Sequence, residues 1–147
     1  IVVPPDHPLL ANPILTLESV AQYPIVTYDF AFTGRSKINR AFEVRGLNPN
    51  VVLTAIDSDV IKTYVELGLG IGILANMAFD PLRDQQLRSI DASHLFEPST
   101  TRVGISRNGY IRGYSYDFIV MFAPHLTHDV VKSAMKGKSK KTQPFPF

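Results

Sequence analysis

The sequence contains no cysteine. That removes a disulfide framework, a thiolate nucleophile and any cysteine-based metal site, and it fits a cytoplasmic setting. An excess of one charge is also missing: 15 Lys and Arg face 13 Asp and Glu, a formal charge of +2. A nucleic-acid-binding domain carries a dense basic face, and none is visible before the C-terminal tail. No apolar run is long enough to span a bilayer, and no signal peptide is seen. The Gly-x-Ser-x-Gly, Walker and His-Glu-x-x-His patterns do not occur. The histidines at 7, 94, 125 and 128 lack metal-ligand spacing: His125 and His128 stand three apart, but only Asp129 is near, so they read as a surface pair. No internal repeat is apparent. An enzyme is therefore not expected, and neither is a metal or a cofactor.

What is present describes a globular chain. Apolar residues make up 45% and charged residues 19% of 147 positions, enough for one domain with a real core. The chain opens on Ile1-Val2-Val3 without methionine and reads as the interior of a longer protein. Ile1–Val3 is a short buried strand stopped by Pro4 and Pro5, with a turn at Asp6-His7-Pro8. Thr16 caps a short helix that ends before Pro24. Pro24–Thr27 is a second strand and Asp29–Thr33 a loop. Ile38, Ala41, Phe42 and Val44 give helical spacing up to a C′ glycine at Gly46. Val51–Ala55 is a third strand. Asp57 or Ser58 caps a helix with Val60, Ile61, Tyr64 and Val65 on its stripe, closed by Gly68. Gly70–Ala75 reads as a buried strand, Pro81–Gln86 as a turn, and Leu87–Ile90 and Thr101–Ser106 as further strands. Tyr114–Ala123 is a strong helix, and His125–Met135 continues as another. The Lys- and Pro-containing tail is expected to be disordered. Strands alternating with helices predict an α/β layered fold with a mostly parallel sheet.

In such sheets ligands sit beyond the carboxyl ends of strands. Two ends stand out. Thr27 leads into Thr33-Gly34-Arg35-Ser36, where glycine would free the backbone of a turn and two hydroxyls would stand at a helix start. Thr54–Ser58 brings Asp57 to a second helix start. A helix N-terminus offers unpaired N–H donors and partial positive charge, which suits a small anion. The candidate ligand-binding residues are Thr27, Thr33, Gly34, Arg35, Ser36 and Asp57, and the expected task is sensing a small anionic or zwitterionic metabolite without turnover. Simple capping also accounts for these residue types, most of all for Asp57. Gly68-Leu69-Gly70-Ile71-Gly72 is not a dinucleotide fingerprint, because it follows a helix and opens a strand. The lysines of the tail read as solvated.

Several stretches carry a resemblance. Val2–Leu9 and Ala21–Pro24 resemble the crossover and first helix of the second subdomain in LysR-type transcriptional regulators. Phe32–Ser36, Asp57–Val65, Leu67–Gly72, Tyr116–Ile119 and Phe122–Thr127 look like the CysB-like group of that family. The likeness runs from about Ile1 to Val131. It implies an effector-binding domain similar to periplasmic binding proteins, with two α/β subdomains and a cleft between them. Residues 1–12 would be the crossover strand from the first subdomain, 13–98 the second subdomain, 99–131 the return strand and helices, and 132–147 a basic tail. The DNA-binding helix-turn-helix would lie outside this chain. The resemblance implies sulfate or an O- or N-acetylserine-like effector, homo-oligomers, and contact of Thr33 with the bound anion. Asp29 departs from the usual uncharged polar residue, and would repel an anion unless it points away or faces Arg35. The rival classes are a solute-binding protein of a transport system and a small enzyme acting on an acetylated amino acid. A chain cut through the first subdomain is expected to expose the apolar faces of Ile1–Val3 and Tyr114–Phe122 and to associate.

Overall fold

The computed structural model describes residues 1–12, 14–100, 102–106 and 111–135. Residues 1–99 form one compact unit and the remainder a second.

Five strands make one sheet in the order β3-β2-β4-β1-β5. They are β1 (Val2–Val3), β2 (Ile25–Tyr28), β3 (Val51–Ala55), β4 (Ile71–Ile73) and β5 (Arg88–Ser89). β2 runs parallel to β3 and β4, whereas β1 runs antiparallel to β4 and β5. The sheet is therefore mixed rather than mostly parallel. The helices are α1 (Leu17–Val20), α2 (Thr33–Val44) and α3 (Ser58–Glu66), with α4 (Gly113–Phe122) and α5 (His128–Met135) in the second unit.

Strand alternation sorts the core onto two faces. Ile1, Val3, Ile25, Ile71 and Ile73 pack with Ile38 and Phe42 of α2 and with Leu17 and Val20 of α1. Val2 and Val26 point the other way and meet Ile61 and Val65 of α3. The middle of β4 faces α3 through Gly72, where a Cβ would crowd Val65 and Ile61. Local signals end the helices where spacing places them. Thr16 and Ser19 form a reciprocal capping box on α1. Gly46 and Gly68 follow α2 and α3 with φ of +66° and +80°, the left-handed region glycine tolerates.

Three expectations change. Ile1–Val3 is not an exposed apolar face: all three residues are buried, since β1 lies between β4 and β5. Residues 102–106 form no strand, Val103 is 39% exposed, and its alternation with Ile105 finds no partner strand among the described residues. Helix α5 begins at His128 rather than His125 and runs to the expected Met135, while residues 136–147 lie outside the described residues. In the second unit α4 does present Tyr114, Phe118, Met121 and Phe122 to solvent. There His128 pairs with Asp117 at 3.0 Å.

Candidate functional site

β2, β3 and β4 run in one direction, so their carboxyl ends share one edge of the sheet. Register sets Tyr28 beside Ala55 and Thr27 beside Ile73. Each strand then leads into a helical start: 29–32 into α2, 56–57 into α3, and 74–75 into a 3-10 turn at Asn76–Ala78. Donor-rich backbone thus gathers where open α/β sheets place their ligands.

The starts of α2 and α3 differ. Asp57 caps α3, its Oδ1 accepting from the Asp59 N–H at 2.7 Å. Its carboxylate is spent on capping. At α2 the N-cap is Phe32, whose ring supplies no acceptor. Arg35 N–H donates to Phe32 O at 3.0 Å. The amides of Thr33 and Gly34, just before it in the first turn, receive no side-chain cap from Phe32. A Cβ built on Gly34 would meet nothing within 4 Å, so open space lies beside Gly34 on the side a Cβ would take. Gly34 is ordinary helix, and the positive φ values among the described residues belong to Gly46 and Gly68. Its contribution is a missing side chain over the helix start, not the special turn geometry the sequence suggested. Ser36 is exposed on the same turn. The backbone of Thr33 opens α2, and its side chain lies outside the described part of the chain.

Arg35 is turned inward and only 4% exposed. Its Nη1 donates to Tyr28 O at 2.8 Å, its Nε to Asn39 Oδ1 at 2.8 Å, and its guanidinium lies 4.4 Å from the Phe30 ring centroid. Burial lowers its pKa from the usual arginine value, while the Asp29 charge opposes that. Asp29 is tied into the loop. Its Oδ1 accepts from Ala31 N–H at 3.1 Å and its Oδ2 from Thr54 Oγ1 at 3.3 Å, which joins the β2 and β3 ends. Thr27 is fully buried, and its hydroxyl donates to Ile73 O at 3.0 Å, bracing β2 on β4. Thr33, Gly34 and Ser36 therefore belong to the first turn of α2, while Arg35, Asp29 and Thr27 are engaged in bracing the strands and the loop before it.

Spacing alone did not bring out two further features of this edge. One is an apolar rim: Phe30, Phe32, Ile56 and Met77 are all exposed on the loops. The other is Tyr28, whose Oη accepts from Ala75 N–H at 3.4 Å and whose ring lies 5.6 Å from Phe32. A groove of 230 Å³ between α1, α2 and His94 and a broader one of 500 Å³ along residues 47–51 lie elsewhere, and of the six candidate residues only Arg35 borders either. Among the described residues no three His, Asp or Glu gather to hold a metal ion. Among them, too, no helix is long and apolar enough to cross a membrane.

The model of the LysR substrate binding domain matches residues 1–127. The chain is 52% identical over 139 residues to the HTH-type transcriptional regulator CysB of Burkholderia cenocepacia, covering 95% of this chain and 44% of that protein. It is 56% identical over 136 residues to the HTH-type transcriptional regulator SsuR of the same species, covering 92% of this chain and 44% of that protein. The chain thus spans less than half the length of these relatives, which are named as transcriptional regulators and not as enzymes. Among solved structures, the cofactor-binding domain of the Cbl transcriptional regulator is similar with a TM-score of 0.80 and 42% identity, over 91% of this chain and 59% of that one. The effector-binding domain of QuiR, solved with shikimate, shares the fold with a TM-score of 0.61 at 21% identity, over 86% of this chain and 61% of that one.

Proposed function

The chain belongs to the LysR substrate-binding family, and from that premise we propose that it senses a small anionic effector for a regulator of sulfur and cysteine metabolism. The effector class is sulfate or an O- or N-acetylserine-like molecule. The observation that carries this reading is the start of α2: an N-cap, Phe32, that makes no side-chain hydrogen bond, followed by a glycine with free space where a Cβ would be, on the edge where three parallel strands end. Thr33 and the amides of Thr33 and Gly34 would hold the anion, with Ser36 beside them. Arg35 and Thr27 would brace the cradle from beneath, and Asp57 would keep the neighbouring helix capped.

In this reading residues 13–98 form the second effector-binding subdomain, residues 1–12 cross into it, and residues 99–131 return to the first. Effector binding favours one arrangement of the subdomains, and can shift that equilibrium only by its differential affinity, on the order of 1–3 kcal/mol. The arrangement is relayed within a homo-oligomer to a helix-turn-helix domain supplied by the longer protein, which acts in the cytoplasm. The regulator names and greater length of the relatives support this, and they disfavour a transport solute-binding protein.

Thr33→Ala in the full-length protein is expected to weaken binding of sulfate and the acetylserines about tenfold, the loss of one hydrogen bond to a charged group. Isothermal calorimetry measures it, and circular dichroism checks that the fold persists. Unchanged affinity for all three probes would remove Thr33 from the site.

A further inference from the structure

Lys62 is a buried cation that the cradle does not use. It sits on α3 beside Ile61, only 7% exposed. Its ammonium meets four oxygens of three residues: Asp84 Oδ1 at 3.0 Å and Oδ2 at 3.1 Å, Ala78 O at 3.1 Å and Asp59 Oδ1 at 2.8 Å. Three residues thus engage the three N–H donors of the ammonium, with both Asp84 oxygens within reach. Asp84 is itself 8% exposed and accepts the Asp80 N–H at 2.9 Å, so it is locked into the turn Asp80–Leu87. A buried ion pair returns little stability over apolar packing, so its retention invites a geometric reason.

The geometry supplies one. The carbonyl that Lys62 holds belongs to the last residue of the 3-10 turn that follows β4. The other end of that segment is held by Tyr28, through Ala75 N–H. Tyr28 is the residue whose carbonyl Arg35 grips at the start of α2. One chain of contacts therefore links the cradle to Ala75, and Lys62 fixes the far end at Ala78. Between the two anchors Asn76 and Met77 are exposed, Met77 at 82%, on the edge shared with the cradle.

We propose that Lys62 is a positioning residue that holds Ala75–Ala78 as a third wall of the effector site. The proposal rests on the functional reading above. Asn76 and Met77 contact the part of the effector remote from its anionic group, and the Lys62 clasp keeps them in place before the effector arrives. A loop ordered in advance lowers the cost of binding.

Amide hydrogen exchange on the full-length protein, with sulfate, O-acetylserine and N-acetylserine as probes, tests this. In the wild type, a bound acetylserine should slow exchange at Thr33–Ser36 and also at Ala75–Ala78. Lys62→Met should speed exchange at Ala75–Ala78 and weaken acetylserine binding at least fivefold at a temperature where the variant is fully folded. Asp59→Asn, which alters the exposed partner only, should leave both unchanged. A merely structural lysine would lower the unfolding midpoint and leave the affinity alone, which overturns the proposal. If Lys62→Met fails to fold, Asp84→Asn and the wild-type protection pattern carry the test. Protection at Thr33–Ser36 with none at Ala75–Ala78 overturns the third wall and leaves the cradle standing. Binding of no probe at all overturns the functional reading and the third wall with it.

Discussion

Gly70→Ala is expected to destabilise the protein by about 3 kcal/mol or more, at the top of the range for overpacking. The new methyl carbon would fall inside contact distance of Pro24 O and 2.7 Å from Pro24 C. These are backbone atoms, which cannot rotate away as a side-chain tip can. The same Pro24 carbonyl accepts the Ile71 N–H at 2.8 Å, the bond that starts the β2–β4 ladder. Relieving the clash therefore means opening the parallel pairing that aligns Thr27 with Ile73 and brings the strand ends to one edge. Chemical denaturation measures the loss. Gly34→Ala is the natural contrast, because a Cβ there meets nothing within 4 Å and the backbone is helical. It should leave stability within about 0.5 kcal/mol of the wild type or raise it slightly.

Arg35→Met is expected to cost about 2–3 kcal/mol of stability and to weaken effector binding together with it. Methionine fills much of the arginine stem, so the change isolates the guanidinium. Lost with it are the hydrogen bonds to Tyr28 O and Asn39 Oδ1 and the stacking on Phe30. Hydrogen bonds made by a charged group contribute about 1.5–3 kcal/mol, and a cation over an aromatic face about 0.5–2 kcal/mol. The Tyr28 carbonyl anchors the loop that leads into α2, so its release loosens the cradle. Arg35→Lys keeps a charge but not the forked donors, and should recover only part of the loss. Denaturation and calorimetry on the same variants measure both effects. A loss of affinity without loss of stability would instead make Arg35 a direct ligand of the anion.

The contrast between Arg35 and Gly34 shows how far the sequence could be read. Helix α2 was legible from Ile38, Ala41 and Phe42, and its end from Gly46. The same periodicity carried a further message: Arg35 stands three residues before Ile38 and seven before Phe42, on the stripe that faces the sheet. Its burial was thus available from spacing, although the Tyr28 carbonyl that receives it was not. Lys62 repeats the lesson, a charge on the stripe of Ile61 and Val65. Its partner Asp84 is 22 residues on, across a turn that local pattern does not orient. Strand direction was hidden for a related reason. Alternation tells which face a side chain meets but not which way its neighbour runs, so the antiparallel placement of the two-residue β1 was out of reach. Residues 102–106 alternate as a strand does, but a strand also needs a neighbour to pair with, and none pairs with them among the described residues. Asp29 had two possible orientations, and the hydroxyl of Thr54, which is paired with Thr27 in the ladder, donates to its carboxylate and decides between them.

The central claim is a place: a small anion held by the first amides of α2. A crystal structure of the full-length protein grown with sulfate, and again with an acetylserine, tests it most directly. The anionic group should lie about 3 Å from the Gly34 nitrogen and within reach of the Thr33 hydroxyl. An anion bound elsewhere, with the start of α2 closed by a side chain of the protein itself, would show the claim to be wrong.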